Sequence, residues 1–414
     1  MLPPLLRDRP FRRYWVGQTV SLVGDQVTLL ALPLTAVLVL HVGPAQMGYL
    51  TAVALLPNLL FALHAGAWVD RRRSRRRVMI AADVGRAILT ATIPIAYWLG
   101  ELTMGQLYVV AFLAGCLSLL FMVSNPTMMV SLADREHYLQ ANSLTNGSRA
   151  FSYVIGPSIG GLLVQALSAP VALLVDAVSF LWSGGLLASI SPTEPEPAPE
   201  GESSLWAGMR MIRSSRLLRG NLVAAATVNL FNYGFSALLV LYAVRHLGIS
   251  PGTLGLVIGT GAVGGLLGST LTSRMARRIG VGPANVVGWF VFTVPLTLVP
   301  LATASMPHGL VLVLVGAAEF LGGLGVMMID ISAGALFQAI VPDQLRSRFT
   351  GAFMVVNYGV RSFGALLGGA LGAALGVREA LWICTLGGIA AAFIILPSGM
   401  LGVRELPEPI PQGT

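Results

Sequence analysis

Gly66-Ala67-Trp68-Val69-Asp70-Arg71-Arg72-Arg73-Ser74-Arg75-Arg76-Arg77 joins two long apolar runs. Six arginines and one aspartate fall within these twelve positions. Charge this dense cannot enter hydrocarbon, so the turn must lie at a membrane surface and the runs beside it must cross the membrane.

The composition agrees. Of 414 residues, 55% are hydrophobic and only 11% charged, and the mean hydropathy is +0.76. Soluble domains carry roughly twice that charge. The apolar runs are continuous and about twenty residues long, which suits spanning helices and not the short alternating strands of a barrel. Every one of the 26 basic residues is arginine. A phosphate-binding P-loop needs a lysine and a Schiff-base enzyme needs an amine, so both chemistries are excluded. No nucleophile–base pair and no metal-ligand cluster stands out, so the chain reads as a non-enzyme without metal or cofactor. A formal charge of +8 would suggest nucleic acid in a soluble protein; here it follows the membrane topology, and no nucleic-acid partner is expected. Cys116 and Cys384 sit in apolar runs and read as small buried hydrophobes.

Runs long enough to span occur at 14–40, 47–69, 78–100, 105–128, 141–168, 171–190, 220–245, 252–272, 282–303, 309–331, 347–376 and 378–400. These predict twelve helices. Assigning the loops to alternate sides puts both termini with the 71–77 turn, Arg135, Arg210 to Arg219, Arg274 to Arg278, Arg346, Arg348 and Arg404. The opposite side keeps only Arg245 and Arg378. That asymmetry predicts a multi-pass protein of the cytoplasmic membrane with both termini in the cytoplasm.

The longest break, from Ser191 to Ser204, is rich in Pro and Glu and predicts an extended linker. Behind it, Arg210, Arg213 and Arg216 share one helical face while Trp206, Met209 and Ile212 share another. This predicts a short helix lying on the anionic inner leaflet. The expected organisation is a six-helix bundle over 1–190, a cytoplasmic linker over 191–218, a second six-helix bundle over 219–402 and a tail over 403–414. The halves echo one another. Gly156-Pro-Ser-Ile-Gly160-Gly161 has a counterpart in Gly364-Ala-Leu-Leu-Gly368-Gly369, and the basic turn recurs as Ser273-Arg274-Met-Ala-Arg277-Arg278. Paired repeats of this kind are the architecture of alternating-access transporters.

With these residues in view, the chain resembles the major facilitator superfamily. That family carries G-x-x-x-D-R-x-G-R-R between its second and third helices. Gly66, Asp70, Arg71 and Arg75 match it, while Arg73 and Ser74 depart from it. The resemblance implies that Asp70 braces the cytoplasmic helix ends and helps to hold the outward-facing state; the second-half copy has Ser273 at that place. Gly156, Pro157, Gly160 and Gly161 resemble the antiporter motif of drug exporters, with Ser152 where a further glycine is usual. With Ser21-Leu-Val-Gly-Asp25 and Asp176-Ala-Val-Ser-Phe180, they resemble the bacterial branch of macrolide-efflux and siderophore-export proteins. The fourth helix lacks the arginine motif common in other drug:proton antiporters. The implied fold is all-α, with two pseudo-symmetric six-helix bundles.

Gln18, Ser21, Asp25 and Thr28 recur at steps of three and four and share one face of the first span. Such a stripe should face a water-filled cavity or a partner helix. Asp25 lies about 16 Å along that helix, near mid-membrane, where a carboxylate costs several kcal/mol unless paired or protonated. Asp25 and its counterpart from the other half, Glu319, are the proton-coupling candidates. Arg149 and Arg361 join them, each expected to have an acidic or carbonyl partner. Asp83 and Arg86 are expected to pair at i, i+3. Asp176 and Asp330 read as structural. Gln18, Ser21, Met122, Asn125, Asn229 and Asn232 are candidates for the substrate cavity.

The sequence reads as that of a secondary transporter exporting a hydrophobic or amphipathic small molecule by proton antiport with alternating access. Its partners are protons, substrate and lipid, and it is expected to be a monomer. The alternatives are a proton-coupled uptake symporter on the same fold and a membrane sensor or scaffold that moves nothing.

Overall fold

The computed structural model describes residues 4–72, 74–192, 205–342 and 345–405. In an apolar medium each backbone N–H and C=O must be satisfied within its own segment, so each apolar run closes into a helix. In chain order these are α1 (Arg9–Leu38), α2 (Pro44–Asp70), α3 (Arg75–Leu99), α4 (Met104–Leu132), α5 (Tyr138–Leu167), α6 (Ala169–Ala188), α7 (Leu205–Ser214), α8 (Arg216–Leu241), α9 (Pro251–Ile279), α10 (Val281–Thr293), α11 (Leu298–Leu301), α12 (His308–Ile340), α13 (Arg346–Leu375) and α14 (Val377–Ala392). There is no strand among the described residues.

Eleven segments among the described residues are long and apolar enough to cross a membrane. One of them, Val281–Leu301, combines α10 and α11 around a turn that starts at Pro295. The remaining expected span is α13. It has 30 residues, but glycines, Asn357, Tyr358 and Arg361 dilute its hydropathy.

The helix starts follow local chemistry. Asp8 caps α1 by accepting from the Phe11 amide at 3.0 Å, and Ser74, Thr103 and Ser215 cap α3, α4 and α8. Each of these side-chain oxygens satisfies an amide that has no intrahelical partner. Three turns consist of one residue in a backbone region that favours glycine, Gly280 between α9 and α10 being one of them. Gly376 (φ 104°) separates α13 from α14, and Ser168 (φ 90°) separates α5 from α6. The serine carries strain there that a glycine would not.

The chain forms two compact units. One holds residues 1–42, 53–201 and 250–256; the other holds 43–52, 202–249 and 257–414. The first turn of α2 groups with the second unit and the first turn of α9 with the first. Glycine contacts account for this. In the first unit Gly156 and Gly160 of α5 lie against Gln26 and Val27 of α1, while Gly161 lies against Pro251 and Gly255. In the second unit Gly364 and Gly368 of α13 lie against Leu230 and Gly234 of α8, while Gly369 lies against Pro44 and Gly48. The repeat thus extends to the partners, which read Pro44-Ala-Gln-Met-Gly48 and Pro251-Gly-Thr-Leu-Gly255. Small residues let helix backbones touch where hydrocarbon gives no hydrophobic drive to association.

Arginines tie down helix C-termini at the basic ends. Arg76 donates to the Leu187 and Ala188 carbonyls (2.9 and 2.6 Å), and Arg13 donates to Ser189 (2.9 Å), all at the end of α6. In the second unit Arg216 donates to Pro397 at 2.5 Å. Carbonyls at a helix C-terminus lack the full set of i+4 donors, and the helix dipole favours a cation beside them.

Two expectations are corrected. α7 does not simply lie on lipid. Its Met211 and Ile212 are buried in a cluster with Leu218, Leu222, Ile340 and Phe349, because the protein itself offers α7 an apolar surface. Arg216 belongs to α8, not to the α7 face. The basic echo is also not a turn. Ser273 to Arg278 continue α9, and Gly280 (φ 99°) makes the turn, packed so closely on Arg404 that an added Cβ would sit 2.6 Å from its Cα.

A Cβ at position 364 would collide with the Leu230 carbonyl oxygen, whereas a Cβ at Gly66 would meet nothing within 4 Å. Gly364→Ala is therefore expected to lower the unfolding temperature of the purified protein. Gly66→Ala is expected to leave it unchanged or to raise it slightly, since glycine within a helix costs about 1 kcal/mol relative to alanine. Thermal unfolding monitored by size-exclusion chromatography separates the two.

Candidate functional site

In the first unit, α1, α3 and α6 pack side by side and bring four charged groups together. Arg86 of α3 is buried and bonds Asp83 one turn away on its own helix. Its other terminal nitrogen lies 3.5 Å from Asp25 of α1. The guanidinium sits over the rings of Phe180 (4.1 Å) and Phe121 (4.8 Å) and reaches Ser118 at 3.4 Å. Asp176 of α6 completes the group. It accepts from Thr28 at 2.5 Å and from Ser179 at 3.0 Å, and it interacts electrostatically with Asp25 and Arg86. Gly24 makes this approach possible, because a Cβ there would collide with Asp176 and Ser179.

The four groups are unequally exposed. Asp83 and Asp176 are fully buried, while 39% of the Asp25 side chain remains open. Three carboxylates share one guanidinium, and the only open member is Asp25. The i, i+3 pair reads from the sequence as expected. Arg86 as the partner of Asp25, and Asp176 as part of the same group, do not. The polar stripe of α1 turns inward, but Gln18 and Ser21 are buried at 6% and 3% exposure. They face packed protein, not an open cavity, as the nearby contact of Gly17 with Ser183 and Leu186 illustrates.

Arg149 is exposed and makes no hydrogen bond or ion pair among the described residues. Its expected partner is absent there; the Tyr14 hydroxyl lies within its electrostatic reach and donates to Asn125 at 2.7 Å. Met122 is exposed beside them on α4. A broad groove opens between α2 and α4, walled by Phe61, His64, Trp68, Cys116 and Leu120, with Arg71 at its rim. Arg72 stacks on the outer face of Trp68 at 4.2 Å. The aromatic lining was not anticipated, although Phe61, His64 and Trp68 recur at helical spacing. Of the remaining signature residues, Arg75 is buried at the start of α3. The Asp70 side chain and Arg73 lie outside the described residues.

In the second unit Asn229 bonds Asn357 across α8 and α13 at 2.8 Å. Asn232 lines a small cavity with Phe235, Phe292, Thr293 and Cys384. Glu319 of α12 is partly buried beside Gly261 of α9 and has no hydrogen bond or ion pair among the described residues. Arg361 bonds the Tyr233 hydroxyl at 3.0 Å and makes no ion pair among the described residues. Neither Arg149 nor Arg361 is the partner of Asp25 or Glu319. No group of three or more possible metal ligands occurs among the described residues.

Residues 14–320 and 222–412 match the Major Facilitator Superfamily. The chain is 28% identical over 417 residues to the uncharacterized MFS-type transporter YfiS of Bacillus subtilis, covering 95% of this chain and 92% of the relative. It is 27% identical to the multidrug efflux pump Tap of Mycolicibacterium fortuitum, covering 90% and 92%. A bacterial homologue of the iron transporter ferroportin superposes with a TM-score of 0.75 at 18% identity, covering 94% of this chain and 98% of the other. A bacterial homologue of the lysosomal transporter Spinster superposes with a TM-score of 0.74 at 14% identity, covering 98% and 99%.

Arg86→Gln strands the buried Asp83 and is expected to destabilise the protein by about 3–5 kcal/mol. Adding Asp83→Asn should recover part of that loss. Unfolding midpoints of the single and double variants measure both effects, and a double variant less stable than Arg86→Gln alone would contradict the pairing.

Proposed function

Because the chain belongs to the major facilitator superfamily, we propose that this membrane transporter exports a hydrophobic or amphipathic small molecule by proton antiport. The family is one of transporters, not enzymes. The observation that carries the antiport reading is the charge imbalance in the first unit. Asp25, Asp83 and Asp176 are set against Arg86 alone. Full ionisation would leave two negative charges uncompensated inside the spanning region, at a cost of several kcal/mol. Taking up a proton removes one of them. Arginine stays protonated throughout, so the acids alone carry the change. Asp25 is the member open to its surroundings, which makes it the site of exchange, while Thr28 and Ser179 hold Asp176 in place behind it.

Glu319 supplies the second unit with a carboxyl whose charge no neighbouring cation offsets among the described residues. Export, in place of uptake, is supported by the likeness to Tap, a multidrug efflux pump, and by the glycine pattern of α5. In the first unit a cargo would meet the aromatic and apolar side chains of the α2–α4 groove and Met122; in the second unit Asn229 and Asn232 are the candidates. The cell membrane is the site of action, with both termini in the cytoplasm, as the arginine asymmetry supports.

Asp25→Asn is expected to abolish substrate-driven proton movement in proteoliposomes, read with a pH-sensitive dye trapped inside. Wild-type coupling in that variant would sink the antiport assignment. Depletion of substrate from cells expressing the protein, as opposed to accumulation, is the expected direction of transport.

A further inference from the structure

Arg361 lies near the middle of the 30-residue α13, where an arginine is expected to be fully compensated. It is not. Its terminal nitrogen donates to the Tyr233 hydroxyl at 3.0 Å, and its guanidinium lies over the rings of Tyr358 (4.4 Å) and Tyr233 (5.0 Å). Its Nε is buried and has no hydrogen-bond partner. Asp330 of α12 is within electrostatic range but makes no ion pair with it. The contrast with Arg86, which meets two carboxylates, is direct. A guanidinium carries five donors in a planar fork, and among the described residues Arg361 uses one of them.

The backbone around it is held closely. Gly234, Gly364 and Gly368 bring α8 and α13 into contact, so that a Cβ on Gly234 would lie 3.0 Å from the Gly364 carbonyl oxygen. Tyr233 and Arg361 are therefore placed by packed helices and not by loops. One turn back on each helix, Asn229 and Asn357 are bonded to each other and extend the polar strip. A positive fork between two aromatic rings, with unfilled donors and helices that fix its position, is prepared for a flat anionic group.

We infer that Arg361, flanked by Tyr233 and Tyr358, receives an anionic group of the cargo, a carboxylate or sulfonate carried on an aromatic amphiphile. This deepens the export reading and rests on it. The anion completes the hydrogen bonding of the guanidinium and neutralises its charge, and the aromatic body of the cargo meets the tyrosine rings.

Fluorescein and rhodamine 123 share a ring scaffold and differ in the sign of their charge near neutral pH, which makes them suitable probes. Binding of each to the full-length protein in lipid nanodiscs is followed by fluorescence polarisation. Wild-type protein is expected to bind fluorescein, and Arg361→Gln to bind it about tenfold or more weakly, the range for loss of a charge-assisted hydrogen bond. Rhodamine 123 binding should change less than twofold. Arg361→Lys keeps the charge and loses the fork, so it should fall between wild type and Arg361→Gln. If Arg361→Gln does not yield monodisperse protein, Arg361→Lys and Tyr358→Leu carry the test, each expected to weaken fluorescein alone. The inference is overturned by unchanged fluorescein binding in these variants, by equal loss of both dyes, or by wild-type protein that fails to bind fluorescein. Fluorescein binding that depends on Arg361, without dye export or proton flux in proteoliposomes, would leave the anion site standing and remove the export reading.

Discussion

One guanidinium holds the first unit together. Arg86 is surrounded by α1, α3, α4 and α6, and each contributes something to it: a carboxylate from α1, another from its own helix, a ring and a hydroxyl from α4, a ring from α6. Charge inside hydrocarbon must be answered locally, because no water is present to answer it. The position of Asp25, the burial of Asp83 and the absence of a side chain at Gly24 all follow from that demand. The second unit answers it differently. Its arginine is covered by tyrosine rings, and its glutamate stands alone among the described residues. The two halves share a backbone plan but not an electrostatic one.

The fold was almost wholly legible in the sequence. Each of the twelve apolar runs is helical, eleven of them within segments long and apolar enough to span among the described residues, one of these eleven being split by a turn at Pro295, because a segment that cannot bond to water has few choices but to close on itself. The errors lay at the ends. α9 and α12 run beyond their apolar stretches because polar residues continue a helix readily once it emerges at the surface. α7 found a protein surface to cover in preference to lipid, which an amphipathic pattern alone cannot distinguish.

The candidate site was legible in its members and not in its pairings. Asp83 and Arg86 are neighbours on one helix, so spacing sufficed. That Arg86 also reaches Asp25 depends on α1 and α3 both packing on α6, which no local pattern encodes. Asp176 reads as structural from the sequence, since nothing in the pattern of α6 ties it to α1. The signal that could have recovered it is Gly24, directly before Asp25, a residue whose lack of a side chain makes room for a neighbour. The matched Pro-x-x-x-Gly pairs at 44–48 and 251–255 were equally visible, and would have tied the starts of α2 and α9 to the glycines of α13 and α5.

Those glycines restrict how the protein can change. Any single-nucleotide substitution in a glycine codon that alters the residue introduces a Cβ. At 156, 364 and 368 that Cβ would run into a neighbouring helix, and at 161 into the Pro251 carbonyl oxygen. These positions are closed to gradual variation, whatever benefit a new side chain would bring to cargo recognition. Adaptation to a different cargo therefore has to work through side chains that stand clear of the glycine seams, such as Phe61, Trp68, Met122 and Asn232.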